Sequence, residues 1–513
     1  MFTSPQRHRP HVWCRQHGST TGGLARFAAG LARAALLAAC ALLIAAPVTA
    51  RAAVQLPEMG EPADRALSPE DEARIGRQFM RRARTELNLV GDAALNHYLR
   101  QLGERLLAVG AGSGGDYHFF IVRDPSVNAF ATPGGYIGMH SGLILAAQNE
   151  SQLAGVLAHE IAHVEQRHIA RALAESSNSG LLTAAGILAA ILLSQQDPQA
   201  GQAALATGIA AGQQAQINYT RSHEAEADRI GIGILGRAGF APSGMAEFFA
   251  GMARRAGLNS DQSYPFLRSH PLSRERFDEA QARASALSEP GQARDSQDFQ
   301  LMRARLRVLI SDNLPALQRQ LRRERDETDS PALRYAAALA AQRLHQPQRA
   351  AELASGLLDV QPQSLAVQLL AAEIDADAGR DTAALERLGN LIALYPHYYP
   401  AVARRARTLA AGSRDAEAQS GVQRYLREQQ RPSPSAWQLL AELRIDAGDT
   451  AAGAEALAEY YLGIDEPGEA LTQLRRALQA SAEDSPQRAR LEARIDDVAG
   501  TADESFGQRR GGG

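Results

Sequence analysis

Prolines recur at nearly regular spacing through the C-terminal part of this 513-residue chain. They fall at Pro331, Pro362, Pro396 and Pro432, at intervals of 31, 34 and 36 residues, and each interval holds two alanine- and leucine-rich helical patterns joined by a turn. A degenerate period of about 34 residues is typical of tetratricopeptide repeats, whose helix pairs bury a core only against their neighbours. We therefore expect residues 331–482 to form an all-α solenoid with a groove suited to protein segments. A helical bundle with accidental periodicity is the alternative.

The segments that flank the repeats are also helical in pattern. Residues 288–330 are interpreted as a helical connector, and residues 483–513 as a C-terminal helix with a disordered tail that begins near residue 500. The solenoid is expected to dock onto the domain that precedes it.

The first 50 residues have the order of a secretory signal peptide. Arginines precede an apolar run from Ala34 to Ala46, and Pro47 and the small residues up to Ala50 follow. That run is shorter than the roughly 20 residues of a membrane span. Secretion with cleavage after Ala50 or Ala52 is the interpretation, ahead of an uncleaved anchor or a lipid on Cys40. Residues 51–66 are interpreted as a linker.

Charge and cysteine content exclude two classes of function. The formal net charge is -3, and residues 1–50 hold five arginines and no acid, so the remainder carries -8. An acidic body argues against general nucleic-acid binding, which needs a basic surface. Both cysteines, Cys14 and Cys40, lie in the signal segment. Neither a disulfide framework nor cysteine catalysis is then available to the mature chain.

Residues 67–287 alternate between helical patterns and a few short strands. Ser68 and Pro69 are typical of a helix start. Strands are predicted at His118–Val122 and, after a Pro-Gly-Gly turn, at Tyr136–His140. From 142 to 285 the pattern is helical. The apolar segment 180–195 indicates a buried helix, or else a mobile lid or a membrane-surface element.

A metal-binding pattern stands at His159-Glu160-Ile161-Ala162-His163. On a helix, His159 and His163 point to one side and can share a zinc ion, with Glu160 beside them. An apolar stripe on the opposite face of the same segment supports the helix. His168 lacks the glycine and histidine spacing of an extended three-histidine motif, and it projects onto the apolar stripe. We interpret it as a structural histidine.

A second cluster, at 221–228, offers the third ligand. Ser222 is expected to cap a helix that ends at Gly239 and Pro242, and Glu224 and Asp228 share one face of it. Glu224 can complete a site of two histidines and one glutamate, with a fourth position for water, while Asp228 can orient a ligating histidine. Alone, this acidic patch would be a solvated helix face.

These residues resemble the gluzincin metallopeptidases of family 48, which include the HtpX-like and CAAX prenyl proteases. The resemblance rests on the motifs already given and on further matching segments, which are Arg167-His168, Asn128–Gly135 and His270-Pro271 with Arg276. It covers residues 67–287 and implies an α+β, mostly helical metalloprotease domain, here followed by the all-α tetratricopeptide-repeat solenoid.

The resemblance also implies roles for individual residues. His159, His163 and Glu224 would bind one Zn²⁺ per chain, with Glu160 as general base and Asp228 as orienting residue. His270 would cap the zinc and keep the enzyme latent, or simply be an ordinary histidine at a helix start. His270 and Arg276 are candidates to stabilise the oxyanion. The edge strand that receives an extended substrate would be Tyr136, Ile137, Gly138 and Met139.

Three functions follow as hypotheses. The first is a zinc endopeptidase in the periplasm of a Gram-negative-type bacterium. It would degrade misassembled outer-membrane β-barrel proteins and support their assembly, and its repeats would recruit clients or the β-barrel assembly machinery. The second is a chaperone-like assembly factor that works mainly through the repeats. The third is an exopeptidase for short peptides, which an appended solenoid disfavours. No nucleic acid and no transmembrane helix in the mature chain are expected.

Overall fold

The computed structural model describes residues 62–110, 115–175, 213–258, 265–288 and 295–507. The predicted signal peptide, the possible lipid site at Cys40, the first part of the predicted linker and the apolar segment 180–195 lie outside these residues. The elements of the N-terminal part are α1 (Pro62–Ala66), α2 (Pro69–Glu86), α3 (Ala93–Leu107), β1 (His118–Val122), β2 (Ala129–Thr132), β3 (Tyr136–His140), α4 (Ser141–Ala146), α5 (Glu150–Glu165), α6 (His168–Glu175), α7 (Gln213–Arg237), α8 (Ser243–Leu258), α9 (Pro265–Ser269) and α10 (Arg274–Leu287).

The three described strands form one small sheet in the order β1-β3-β2. β1 pairs parallel with β3, and β2 pairs antiparallel with β3. The strands predicted at His118–Val122 and Tyr136–His140 are confirmed. Ser68 caps α2 by accepting a hydrogen bond from the Asp71 backbone N–H at 3.1 Å, and Pro69 occupies the first turn as expected.

The prediction that Tyr136–Met139 form an edge strand is wrong. β3 is the central strand, and all five of its residues are buried. Local sequence indicates only the turn that joins β2 to β3. It does not reveal that β1, which comes earlier in the chain, pairs with the other side of β3. Among the described strands, β2 is the outer one that adjoins α5.

Helices α5, α7 and α8 pack closely because glycines lie at their crossings. A Cβ on Gly231 of α7 would stand 3.1 Å from the His159 backbone nitrogen of α5 and 2.9 Å from the Met245 side chain. A Cβ on Gly155 of α5 would stand 2.9 Å from the Met245 backbone nitrogen of α8. The absent side chains allow α7 to approach α5 at the level of its histidines.

The N-terminus of α7 differs from the prediction. The helix starts at Gln213, so Ser222 lies inside it and does not cap it. No glycine or proline interrupts residues 213–222, and a serine costs little inside a helix, so the helix extends past the expected start. Its end is confirmed, because α7 stops at Arg237 and Gly239 adopts a φ of 79°.

The C-terminal part is a succession of antiparallel helices, as predicted. Its elements are α11 (Gln297–Leu309), α12 (Leu314–Glu327), α13 (Pro331–Arg343), α14 (Pro347–Val360), α15 (Leu365–Asp377), α16 (Asp381–Leu394), α17 (Tyr399–Ala411), α18 (Asp415–Glu428), α19 (Pro434–Asp446), α20 (Thr450–Gly463), α21 (Pro467–Ala480) and α22 (Pro486–Gly507). From α13 onward, the first helix of successive pairs begins at 331, 365, 399 and 434. The period is therefore 34 or 35 residues.

The turn inside each helix pair has the same backbone geometry. Two residues before the helices that begin at 347, 381, 415 and 450, one residue has a positive φ of 54° to 86°. Glycine occupies this place twice, at Gly379 and Gly448, but His345 and Ser413 occupy it in the other two turns. A left-handed residue ends a helix and reverses the chain. The repeat is therefore conserved in geometry while its sequence varies.

Two segments outside the repeats are more ordered than predicted, and the connector is helical, as expected. The last five residues of the expected linker form α1, which packs against α6. The connector forms the helix pair α11 and α12, which packs on α13. Helix α22 continues to Gly507, into the segment expected to be disordered. A packed helix propagates beyond its contacts because each further residue adds one backbone hydrogen bond.

The solenoid docks onto the N-terminal part, as expected, through a buried ionic group. Arg305 of α11 forms two hydrogen bonds to Asp92, at 2.9 and 2.8 Å, and two to Glu373 of α15, each at 3.0 Å. Asp92 also caps α3 by accepting from the Leu95 N–H at 2.9 Å. Arg305 is 5% exposed, so a buried guanidinium joins α3, α11 and α15.

A second contact joins α2 to the turn between α20 and α21. Arg77 Nε lies 2.8 Å from Asp465 Oδ2, and Arg84 donates to the Ile464 carbonyl oxygen at 3.0 Å. The helices thus contact the N-terminal part near both ends of the repeat array. Within the described residues, none of the helices has both the length and the apolar character needed to cross a bilayer.

Candidate metal centre

Four potential metal ligands converge on one point between α5, α7 and α9. His159 Nε2 lies 3.0 Å from His163 Nε2, and the Glu224 carboxylate lies 3.4 Å from the first and 3.5 Å from the second. Ligand atoms of His159, His163, Glu224 and His270 all lie within 4.8 Å of one another. The structure therefore brings together the predicted histidines and glutamate, which lie more than 60 residues apart in sequence.

The separations fit a zinc ion. Tetrahedral ligands at about 2.0–2.1 Å from zinc are separated by roughly 3.3 Å. The three distances above, 3.0, 3.4 and 3.5 Å, agree with that value. Two histidines and one glutamate are also an established ligand set for catalytic zinc.

The charge distribution favours a cation at the same point. Burial opposes protonation of His159, but Asp228 and Glu224 raise its pKa to about 10. Burial also opposes ionisation of Glu224, yet His270 and His163 hold its pKa well below the ordinary value. The carboxylates therefore attract positive charge to a point lined by imidazole nitrogens, which is the environment of a divalent metal.

Asp228 lies on the far side of His159 from this point. His159 Nδ1 is 3.0 Å from Asp228 Oδ1, so the carboxylate fixes the ring with Nε2 turned toward the other ligands. The placement matches the orienting role predicted for Asp228.

Arg276 is engaged by two buried carboxylates. Its Nε and Nη2 bond to Asp228 at 2.8 and 3.0 Å, and its Nη1 reaches the Pro271 carbonyl at 2.6 Å and Glu224 at 3.0 Å. All three guanidinium nitrogens are thus engaged, and the residue is 5% exposed. These contacts leave no guanidinium nitrogen available to an oxyanion in this arrangement, so they do not support the prediction that Arg276 stabilises one.

Glu160 is buried beside the ligand cluster. It is 1% exposed, its Oε1 has no hydrogen-bond partner, and the backbone N–H of Ala131 in β2 donates to the carboxylate. Burial raises the pKa of Glu160 above that of an ordinary glutamate. A buried carboxylate oxygen without a hydrogen-bond partner, next to a metal position, is suited to accept a proton from water.

His270 lies among the ligands and not at the surface. Its Nδ1 is 3.1 and 3.2 Å from the Glu224 oxygens and 3.3 Å from His159 Nε2, and its Nε2 is 3.5 Å from Glu160 Oε1. The Phe266 ring stacks on it with centroids 4.7 Å apart. Of the two sequence interpretations, the geometry agrees with the one that puts His270 over the metal position.

The sequence pattern predicts His168 on the apolar stripe of the helix that carries His159 and His163, and this prediction is wrong. Helix α5 ends at Glu165, and Arg167, with a φ of 49°, reverses the chain so that His168 begins α6. The His168 Nδ1 then lies 2.9 Å from His163 Nδ1. Helical periodicity predicts neighbours only while the helix continues, so the sequence pattern could not reveal this contact.

Comparisons with known proteins agree with this site. Residues 93–284 match Peptidase family M48. The "Beta-barrel assembly-enhancing protease" of Escherichia coli K12 is 34% identical over 469 residues, which cover 91% of this chain and 95% of that protein. A "Putative beta-barrel assembly-enhancing protease" of Vibrio cholerae is 39% identical over 331 residues, covering 63% and 68%.

A eukaryotic relative matches a smaller part of the chain. The "Mitochondrial metalloendopeptidase OMA1" of Schizosaccharomyces pombe is 30% identical over 180 residues, which cover 35% of this chain and 50% of that protein. The resemblance to family 48 is thereby confirmed, and the chain is a metallopeptidase. With 34% identity across nine-tenths of both chains, it belongs to the family of beta-barrel assembly-enhancing proteases.

Proposed function

We propose that this chain is a zinc-dependent endopeptidase of the bacterial periplasm that degrades misassembled outer-membrane β-barrel proteins and supports the assembly of others. The observation that carries the proposal is the cluster of His159, His163 and Glu224, with ligand separations of 3.0 to 3.5 Å and Glu160 beside it. One zinc ion per chain would be held by these three residues. The periplasmic assignment rests on the signal-like residues 1–50, and the β-barrel substrates are taken from the name of the Escherichia coli relative.

The chemistry follows from the positions of the side chains. A bound zinc ion supplies Lewis acidity, which polarises the scissile carbonyl and lowers the pKa of water. Glu160 takes the proton of the attacking water and passes it to the leaving amine. Asp228 keeps His159 in the orientation that ligation needs. Of the two predicted donors for the oxyanion, His270 is the one we favour, because its Nε2 lies near Glu160 and would be free to donate once Nδ1 has left the ligand cluster.

The substrate would pair with β2 instead of β3. Among the described strands, β2 is the outer one next to α5, and Ala131 N–H already bonds to Glu160. An extended peptide added along this strand would bring its carbonyl groups toward the catalytic helix. Main-chain pairing of this kind selects extended, unfolded segments more than particular side chains.

His270 would hold the resting enzyme latent. A catalytic zinc site keeps its fourth position open for water or substrate. The His270 Nδ1 lies 3.3 Å from His159 Nε2 and 3.1 Å from Glu224 Oε1, which are separations expected between two ligands of one metal. It therefore competes for the fourth position. Movement of α9, which immediately precedes His270, would be required for activity.

The first experiment measures zinc content and casein cleavage for the mature wild type, Glu160→Gln and His270→Ala. We expect one zinc in each wild-type chain, an unchanged zinc content but no cleavage for Glu160→Gln, and faster cleavage for His270→Ala. Glu165→Gln, the same change at the end of the same helix and outside the cluster, is the matched control. Wild-type protein that binds no zinc even after loading would contradict the proposal.

The chaperone-like assembly factor makes a different prediction. If the repeats act without proteolysis, Glu160→Gln will rescue every defect of a deletion strain. The buried base beside an intact ligand set favours the protease, since a pure binding module has no use for Glu160.

A further inference from the structure

A line of polar side chains leads from His163 away from the metal position. His163 Nδ1 lies 2.9 Å from His168 Nδ1, and His168 Nε2 lies 3.3 Å from Glu226 Oε2. Arg171 Nη1 donates to the same Glu226 oxygen at 2.8 Å. We call the two contacts of His168 the His168 bridge. No motif of the family resemblance assigned a function to it.

We propose that His168 is a positioning residue, which fixes the ring of the metal ligand His163 and transmits to it the negative charge of Glu226. The inference rests on the proposed function, in which His163 is a zinc ligand. Ligating histidines generally donate their second ring N–H to a carboxylate, a carbonyl or water, which orients the ring and makes it a stronger ligand. Here the acceptor would be another histidine.

The directions of the hydrogen bonds follow from the ligand geometry. His163 Nε2 faces His159 and Glu224, so in a neutral ring that binds metal the proton must be on Nδ1. That proton is donated to His168 Nδ1. A neutral His168 then carries its own proton on Nε2, from which it donates to Glu226. Each ring nitrogen of His163 and His168 is then a metal ligand, a hydrogen-bond donor or a hydrogen-bond acceptor.

The two ligand histidines are supported differently. His159 has Asp228 directly behind it at 3.0 Å. Glu226, two residues before Asp228 on α7, is separated from His163 by the width of one imidazole ring. The His168 bridge fills that width, so both histidines connect to a carboxylate of the same helix.

Packing and backbone geometry hold His168 in this place. The residue is 4% exposed, and the His223 ring stacks on it at 4.1 Å with an interplanar angle of 12°. Arg167, which turns the chain, has a positive φ that is unfavourable for a residue with a side chain. Its guanidinium is anchored to Asp64, to Glu72 at 3.2 Å and to the Leu67 carbonyl at 2.6 Å. These contacts to α1, α2 and the residue between them stabilise the turn that places His168 beside His163.

The test compares two substitutions of His168 in the full-length mature protein. His168→Phe keeps a flat ring against His223 but removes both nitrogens. His168→Asn keeps an oxygen near the position of Nδ1 and loses the contact with Glu226. We measure the zinc dissociation constant by competition with a chelator, the visible spectrum of the Co²⁺ form, and the melting temperature of the metal-free protein.

Loss of a residue that hydrogen-bonds a metal ligand typically weakens metal binding by about 10–100-fold. We expect a change of this size for His168→Phe. His168→Asn should recover part of this loss, and Glu226→Gln should weaken binding less than His168→Phe. The Co²⁺ spectrum of His168→Phe should shift, while the metal-free melting temperature changes little. His97 is another buried histidine, on α3, outside the ligand cluster. His97→Phe should therefore leave zinc binding unchanged.

Two failures are distinguishable. Wild-type protein that binds no zinc would overturn the proposed function itself. Wild-type protein that binds zinc while His168→Phe binds it within about threefold, well below the usual effect of an outer partner, would overturn only the role of His168. Equal weakening in His168→Phe and His168→Asn together with a lower metal-free melting temperature would also overturn it, because the effect would then be one of packing.

Discussion

Arg276 and Asp228 form a pair of parallel hydrogen bonds beneath the metal position, from Nε to Oδ2 at 2.8 Å and from Nη2 to Oδ1 at 3.0 Å. The same carboxylate faces His159 Nδ1, and the same guanidinium faces Glu224. One buried cation therefore compensates both Asp228, the proposed orienting residue, and Glu224, the proposed ligand. Such a pair contributes mainly by preventing an uncompensated buried charge.

Replacement of Arg276 by methionine should destabilise the metal-free protein by about 3–5 kcal/mol, because Asp228 and Glu224 would remain buried without their partner. Urea denaturation measures the change. Arg274→Met, on the exposed face of the same helix, is the control and should alter stability by no more than about 0.5 kcal/mol. Equal effects of the two substitutions would show that the Arg276 pair is not needed.

Gly231→Ala should lower stability and weaken zinc binding, since its Cβ would meet the His159 backbone nitrogen at 3.1 Å and push α7 away from α5. Overpacking of this kind costs about 1–3 kcal/mol. Gly233→Ala is the matched control on the same helix, because its Cβ would approach only the end of the Arg237 side chain. That control should instead gain up to about 1 kcal/mol from the better helix propensity of alanine. Urea denaturation and chelator competition distinguish the two variants. Unchanged zinc binding in Gly231→Ala would show that the close approach of α7 to α5 is not needed for the metal site.

Arg305→Met should destabilise the protein by about 3–5 kcal/mol, because Asp92 and Glu373, whose side chains are only 15% and 14% exposed, would lose their buried cation. Adding Asp92→Asn and Glu373→Gln should recover most of that loss, since an asparagine still caps α3 and no net charge remains buried. Denaturation of the single and triple variants measures both effects. If the triple variant is no more stable than Arg305→Met, the lost energy does not arise from uncompensated charge.

His97 should make the protein less stable in acid. Burial, with a smaller contribution from Arg100, lowers the pKa of His97 from 6.5 to about 4. The folded state disfavours the charged ring of His97. The contribution of the neutral ring to the free energy of unfolding is therefore fully present above pH 6.5 and is lost as the pH falls toward 4. This one group should cost about 2 kcal/mol at pH 5.

The measurement for this prediction is the difference between wild type and His97→Phe in urea denaturation from pH 7.5 to 4.5. His97 packs edge-on against Tyr398, a contact that phenylalanine retains. The variant should therefore lose less stability than the wild type in acid, even if its stability at pH 7.5 is changed. Parallel curves for the two proteins would mean that His97 is protonated equally in the folded and unfolded states.

The sequence by itself determined the features that depend on near neighbours in the chain. Helix α5 with its paired histidines, the cap at Ser68, the strand ends and the 34-residue period follow from spacing and local hydrogen bonding. The chemistry of the motif predicts Glu224 as a ligand, since a catalytic zinc site with two histidines needs a third protein donor. Family resemblance added His270.

Tertiary structure alone decided which residues meet across separate elements. β3 is central and not an edge because β1 pairs with it from an earlier part of the chain. Arg276 turns inward because two buried carboxylates attract it more strongly than a solvent-facing position would. His168 reaches His163 because one residue with a positive φ ends the helix. Local periodicity carries no information about such contacts, since each depends on where the chain returns after a turn.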